Sequence, residues 1–396
     1  MILSQEEQDF VRRHLGDDLG ALALRAHRHP EVCLPQLLPY LSALQKIRVK
    51  LPSWFRLDLD IPLPLSVEQA SSEPTARFKA SLFSGCRMAD LTGGLGVDAF
   101  FWAQSFREVL YVERDPTLAE AARRNFAVLG AHNIRVQNAL AEHFLLRLTE
   151  PLDLIYLDPS RRDEHRRRLF RLEDCSPNVP ALRELLLQKA PQVLLKTSPM
   201  LDIAQAAKQL KQVERVWVIS VGGEVREVLL LLQGLEIPLD EIAVEAVVLT
   251  PEQTVTFVFN RAEEHSATPN YSEPQRYLYE PDAALLKAGA FKTFAVRYGL
   301  AKLHPLAHLY TAEHLVPCLP ARCFTVEAVL KYDRREVHRY LPTRRAHVAV
   351  RNFPQTAEEM RKNLGLLEGG DTYLFGTTAP NGQKILLMCR RTPTFM

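Results

Sequence analysis

The chain has 396 residues, of which 47% are hydrophobic and 24% charged, with a formal net charge of +2. That length allows two or three domains, and the composition is that of an ordinary globular protein rather than a disordered or fibrous one. No apolar run reaches the ~18 residues a membrane span needs, which excludes an integral helical membrane protein.

The N-terminus, Met1-Ile-Leu-Ser-Gln-Glu-Glu, lacks the basic and apolar regions of a signal peptide. Ser4 and Glu7 instead suit a helix-capping box, and residues 1–80 read as a helical region with a Pro-rich break at 51–64. From 87 to 260 short apolar runs alternate with helical patterns. Strands are expected at 87–91, 109–113, 134–137, 152–157, 193–196 and 216–221, and helices at 97–105, 117–129, 141–148, 181–189 and 203–211. Strands spaced by helices mean βαβ units and a mostly parallel sheet. The runs 244–249 and 254–259 read as an antiparallel hairpin closing its edge. Residues 261–275 read as a linker. Beyond them come helices over 281–298, then strand-like runs at 324–330, 347–350, 373–376 and 385–389, with Asn381-Gly382 as a hairpin turn. The expected architecture is therefore a helical region (1–80), an α/β domain (81–262) and a small α+β module (275–396).

The six cysteines form no CxxC pair, so free thiols in a reducing cytoplasm are expected. His304, His308, His314, Cys318 and Cys323 match no zinc-module spacing, and no metal is expected. The net charge hides an asymmetry: from Tyr271 onward there are 18 Lys/Arg against 11 Asp/Glu. Such a bias favours a polyanionic partner, although a solvated basic face is also compatible with it.

The stretch Asp90-Leu-Thr-Gly-Gly-Leu-Gly-Val-Asp98 reads as strand end, glycine turn and helix start, and Glu113 ends the next strand. Glycines let the backbone approach a ligand, and an acid at that strand tip can accept hydrogen bonds from a ribose diol. The pattern is not the G-x-G-x-x-G dinucleotide fingerprint. An acid before the turn repels a pyrophosphate but attracts an ammonium or sulfonium, and S-adenosylmethionine carries both. Candidate cofactor-binding residues are Asp90, Thr92, Gly93, Gly94, Gly96, Glu113, Asn138, Ala139, Asp158 and Pro159. Asp158-Pro159-Ser160-Arg161-Arg162 follows the fourth strand. Arg161 and Arg162 there, with Arg334, Arg335, Arg344 and Arg345 in the basic C-terminal part, are candidate substrate-phosphate contacts.

This order of motifs resembles class I S-adenosylmethionine-dependent methyltransferases with their Rossmann-like sheet. The resemblance implies that Asn138-Ala139 contacts adenine and that Asp158 stands at the reacting group. Ser160 and Arg161 depart from the (Asp/Asn)-Pro-Pro-aromatic motif of amino-directed base methyltransferases. The order Lys79, Asp158, Lys196, Glu224 is similar to the tetrad of RNA 2′-O-ribose methyltransferases, which implies a catalytic role for all four; ion pairs around the pocket rim are the alternative. At finer grain, Asp158-Pro-Ser-Arg-Arg-Asp163, Leu172-Glu-Asp174, Ser176-Pro-Asn178, Leu195-Lys-Thr-Ser-Pro-Met-Leu-Asp202, Tyr277-Leu-Tyr-Glu-Pro-Asp282, Leu303-His-Pro305 and Tyr373-Leu-Phe-Gly-Thr-Thr378 occur together. The set resembles a bacterial (Bacteroidetes-type) methyltransferase family with a THUMP-like C-terminal domain. That implies an RNA substrate, tRNA or rRNA, and no obligatory protein partner. A small-molecule methyltransferase and a non-catalytic RNA-binding protein on the same fold remain alternatives.

Overall fold

The computed structural model describes residues 3–62, 64–161 and 172–393. Five helices come first: α1 (Gln5–His14), α2 (Leu19–Leu24), α3 (Leu34–Lys50), α4 (Pro64–Gln69) and α5 (Glu73–Leu82). The expected capping box is present: Ser4 Oγ accepts from the Glu7 N–H, and Glu7 accepts from the Ser4 N–H. α3 buries Leu37, Tyr40, Leu41, Leu44 and Ile47, the helical spacing of a core-facing stripe.

The alternating region follows as β1 (Gly85–Asp90), α6 (Val97–Trp102), β2 (Phe106–Glu113), α7 (Pro116–Val128), β3 (Ile134–Asn138), α8 (Ala141–Arg147), β4 (Leu154–Leu157), β5 (Ser160–Arg161), β6 (Cys175–Ser176), α9 (Val179–Lys189), β7 (Gln192–Thr197), α10 (Ile203–Leu210), β8 (Val213–Val221), β9 (Glu224–Leu232), β10 (Ala243–Leu249) and β11 (Thr254–Phe259). The sheet order is β11-β10-β8-β9-β7-β4-β1-β2-β3. Strands β1, β2, β3, β4 and β7 pair in parallel. Strand β9 has no counterpart in the sequence reading. Gly222 and Gly223, both at positive φ, make the two-residue turn that doubles the chain back antiparallel to β8. Strand β9 is thus inserted between β8 and β7, while β10, parallel to β8, and β11 extend the edge as the expected antiparallel pair.

The chain divides into two compact units, Met1–Glu214 with Leu229–Ile237, and Arg215–Val228 with Pro238–Met396. In the first, the helical N-terminal residues are tied to one another and to α7. Tyr40 Oη donates to the carbonyls of Leu57 and Leu59. The next turn is clamped by Asn125 of α7, which accepts from the Asp60 N–H at 2.7 Å and donates to the Asp60 carbonyl at 2.9 Å.

The second unit adds α11 (Arg261–Ser266), β12 (Tyr277–Pro281), α12 (Ala283–Ala288), α13 (Lys292–Tyr298), β13 (Ala301–His304), β14 (Ala307–Ala312), β15 (Ala321–Lys331), α14 (Arg334–Tyr340), β16 (His347–Val350), α15 (Ala357–Leu364), β17 (Thr372–Thr378) and β18 (Lys384–Arg391). Residues 261–275 are more than a linker, because Glu264 accepts from the backbone N–H groups of Lys292 and Thr293 and from the Thr293 hydroxyl. The second sheet runs β13-β14-β12-β15-β18-β17-β16. Its two edges meet: His304 at the end of β13 accepts from the Asn352 amide just beyond β16 at 3.1 Å. Buried Glu280 on β12 pairs with both Arg322 and Arg351. Among the described residues no helix is long and apolar enough to cross a membrane, and no His/Cys/Asp/Glu group could hold a metal ion.

Replacing Asn125 with alanine is expected to remove its two hydrogen bonds to the buried Asp60 backbone and to cost about 2–4 kcal/mol, read as a lower denaturation midpoint with an unchanged slope. A shift worth less than about 1 kcal/mol would remove the clamp from this account.

Candidate active site

Strands β1 and β2 end in Asp90 and Glu113, Asp158 lies one residue beyond β4, and Lys196 is the next-to-last residue of β7. Parallel pairing sets Asp90 beside Tyr111 on one side and Tyr156 on the other. The C-terminal ends of such strands are where open α/β sheets place ligands.

Between β1 and α6 the backbone turns sharply. A Cβ on Gly93 would lie 2.2 Å from the Tyr111 ring, and one on Gly96, at φ +90°, would lie 2.6 Å from the Phe126 ring. These two glycines are therefore demanded by the protein beneath the loop rather than by a ligand above it. At Gly94 the nearest atom to such a Cβ is 3.8 Å away, so that residue lies on the open side. Tyr111 Oη donates to the Gly94 carbonyl, and the Gly94 N–H donates to Glu113 at 2.8 Å. The other Glu113 oxygen accepts from the Asp115 N–H at 2.8 Å. Glu113 is thus fixed by two backbone donors, each oxygen keeping a lone pair for a diol.

Asn138 and Ala139 hold the end of β2: both amide protons of Asn138 go to the carbonyls of Glu113 and Arg114, and the Ala139 N–H also goes to Glu113. What they leave for an adenine edge is the Asn138 carbonyl oxygen. Thr92 links the first and fourth strand ends. Its N–H donates to Asp90, and its hydroxyl accepts from the Asp158 N–H at 2.6 Å.

Asp90 is 1% exposed. Burial, then the charges of Asp98, Asp158 and Glu113, push its carboxyl well above the usual range, with only the Thr92 N–H pulling the other way. A buried carboxylate among three others is a site that a cation relieves. This fits a ligand with an ammonium or sulfonium, and the open face at Gly94 and the fixed Glu113 fit its ribose.

Three of the four residues read as a catalytic tetrad come together. Lys196 Nζ lies 2.5 Å from Asp158, whose side chain is 35% exposed. Lys79 is fully buried, and the acid it meets is Asp98, at 3.1 Å. Asp98 also accepts from Ser71 and Tyr156, each at 2.8 Å, and Lys79 donates to Ser71 at 2.7 Å. Glu224 takes a different place: it is exposed at the start of β9 and pairs with Arg226 at 2.9 Å. The acid paired with Lys79 is Asp98, and the acid paired with Lys196 is Asp158. Sequence order favoured Glu224 because it follows a strand. Asp98 hid as the end of the glycine stretch, and its signal was a carboxylate in the first turn of an otherwise apolar helix.

The candidate phosphate contacts divide as well. Arg162 lies outside the described residues; Arg161 is in β5, paired with Cys175. Arg334 lays its guanidinium over Gly365, and Arg345 packs on Gly370, so both help hold α14 and the following turn in place. Arg334, Arg335, Arg344 and Arg345 are all exposed, and so is Arg339; Arg335, Arg339 and Arg344 are the ones not packed on a glycine.

Comparison with known proteins adds the following. The profile of a ferredoxin-like domain matches residues 277–320, and that of a THUMP-like domain matches residues 321–391. Two Mycobacterium tuberculosis proteins, from strains CDC 1551 and H37Rv, are each 25% identical over 304 residues, covering 76% of this chain and 80% of theirs. Both are named uncharacterized S-adenosylmethionine-dependent methyltransferases. A crystal structure from Porphyromonas gingivalis W83, designated a methyltransferase without a stated substrate, is 31% identical with a TM-score of 0.87. It covers 99% of this chain and 100% of its own.

A cationic ligand needs Asp90 ionised, whereas below its raised midpoint Asp90 holds a proton. Binding of S-adenosylmethionine is therefore expected to release a proton and to tighten as pH rises from the ordinary carboxylate range through that midpoint. In calorimetry Asp90→Asn should weaken binding roughly tenfold or more and flatten the rise; a pH-independent wild-type affinity would contradict it. Gly93→Ala, which drives a methyl into Tyr111, should abolish binding at concentrations that saturate the wild type.

Proposed function

The chain belongs to the methyltransferase family that depends on S-adenosylmethionine and carries a THUMP-like C-terminal domain, and from that premise we propose that it methylates RNA, a tRNA or an rRNA, with Asp158 receiving the acceptor group. The observation that carries this reading is the Asp158–Lys196 pair at 2.5 Å, at the strand ends that also hold the glycine turn and Glu113. When bound, S-adenosylmethionine supplies an electrophilic methyl group on its sulfonium. The residues here do the rest. Asp90, Thr92, Gly94 and Glu113 bind, Asn138 and Ala139 border the adenine position, and buried Pro159 stiffens the backbone after Asp158.

Asp158 is the most exposed of the three aspartates, so an acceptor N–H or O–H can reach it. Burial pushes its carboxyl above the usual range, and Lys196 offsets only part of that. Such a carboxylate is poised to accept a hydrogen bond from the acceptor and then its proton. Lys196 keeps Asp158 oriented and stabilises its charge.

Support for RNA comes from the region matching the THUMP-like profile. Arg335, Arg339 and Arg344 are exposed there, with no carboxylate partner among the described residues, and phosphates are the natural partners of such groups. Ion pairing absorbs other charges nearby: Glu368, for example, takes both Arg361 and His347.

The test is transfer of labelled methyl from S-adenosylmethionine to total RNA from a strain lacking the gene, followed by digestion and mass spectrometry. One methylated nucleoside absent from that RNA should appear. Asp158→Asn and Lys196→Ala should lower the rate by roughly 10²-fold or more without loss of cofactor binding. RNA affinity should fall steeply with salt, and Arg335→Ala or Arg344→Ala should each reduce the salt slope by about one. Label in small molecules and none in RNA would overturn the reading. Near-wild-type turnover in Lys196→Ala would remove that residue from the chemistry.

A further inference from the structure

Two lysines and two aspartates share the floor of this site, and each aspartate stands in a different environment. Asp98 on α6 is 11% exposed in its side chain and is surrounded by donors: Lys79 at 3.1 Å, and the hydroxyls of Ser71 and Tyr156 at 2.8 Å each. Asp158 has Lys196 at 2.5 Å, and a third of its side chain is open. The charged groups facing Asp158 are Lys196 from β7, Lys79 from α5, Asp98 from α6 and Asp90 from β1.

The consequences run in opposite directions. Burial raises the Asp98 carboxyl, but Lys79, Lys196 and the Ser71 hydrogen bond outweigh it and hold Asp98 below the usual range. Burial also raises Asp158. There Lys196 pulls down, the charge on Asp98 pushes back up, and the carboxyl stays above the usual range. When neighbouring carboxyls are pushed apart in this way, one stays ionised and the other exchanges the proton. Lys79 is what permits the division. A buried charge without a counter-ion costs several kcal/mol, so without Lys79 the Asp98 carboxylate would draw Lys196 toward itself and away from Asp158.

Taking Asp158 as the carboxylate at the reacting centre, whatever the acceptor, we propose that Lys79 and Asp98 are positioning residues for it. Asp98 remains a fixed charge held by Lys79, Ser71 and Tyr156, and this couple keeps Lys196 on Asp158. Lys79 is fully buried, with its amino group 3.1 Å from Asp98 and 2.7 Å from the Ser71 hydroxyl, which places it on Asp98. Ser71, in the segment ahead of α5, belongs to the same unit of function and ties that segment to the site.

The test follows carbon-13 at the aspartate carboxyls of the full-length protein, without cofactor or acceptor. The signals are assigned by their loss in Asp158→Asn and Asp98→Asn. In the wild type Asp98 should titrate below the ordinary carboxylate midpoint and Asp158 above it. Asp98→Asn should lower the Asp158 midpoint by about one pH unit, and Lys79→Met should raise it by about as much. The double variant, which removes both charges of the pair, should fall between the two single variants. Two single variants moving Asp158 the same way, or not at all, would overturn the positioning role; so would the reverse order in the wild type. If Lys79→Met does not fold, the wild-type order and Asp98→Asn decide the matter. Because no RNA is used, failure of the RNA reading leaves this result standing, and an unmoved Asp158 leaves the RNA reading standing.

Discussion

The site rests on the burial of charge. Lys79 is fully enclosed, Asp90 nearly so, and Lys196 is 8% exposed. Each would cost several kcal/mol if left alone. Lys79 and Lys196 are tolerated because helix and strand ends bring carboxylates and a hydroxyl within reach, whereas Asp90, set among other acids, has the Thr92 N–H. That requirement fixes much around it. Tyr156 must be on β4 beside Asp90 for its hydroxyl to meet Asp98, Thr92 must bridge the first and fourth strand ends, and Ser71 must arrive from outside the sheet. The apolar packing beneath, with Trp102 and Tyr156 ring centroids 6.0 Å apart, keeps water from these pairs and strengthens them.

A second constraint is the approach of the glycine loop to Tyr111. The ring fills the place where a Cβ at position 93 would be, and its hydroxyl ties down the Gly94 carbonyl. The loop is therefore shaped from below. This leaves Gly94 and the upper edges of Glu113 free for a ligand, and it makes the glycine pattern a property of strand β2 as much as of the cofactor.

In the second unit the polar groups of the sheet do different work. Glu280 is 2% exposed and takes two arginines, while His304 takes the Asn352 amide. The motifs around Glu280, His304 and Thr378 meet at residues 351–352, since Thr378 donates to the Asn352 carbonyl at 2.5 Å. These short motifs close a seven-stranded sheet whose edges lie far apart in strand order. They fasten the region matching the ferredoxin-like profile to the region matching the THUMP-like one. The arginines left over are those on the outward turn of α14 and just beyond it.

The sequence by itself determined the parallel strands, the glycine turn, Glu113 and the Asp158 motif. Those signals are local: an apolar run, a turn residue and an acid at a strand end are read within a few neighbouring positions. It also fixed the basic excess of the C-terminal part, which is a matter of counting. Strand β9 was not legible because its long apolar half follows a paired-glycine turn that reads equally well as the end of an element. Which acid answers Lys79, which arginines stay free and why Gly93 is glycine were decided only by the tertiary structure. Each depends on a group arriving from elsewhere in the chain: Asp98 from α6, the Gly365 backbone beneath Arg334, the Tyr111 ring beneath the loop. Long-range contacts of this kind leave no spacing in the sequence, and the cost of burying a charge or a ring without its partner is what selects them.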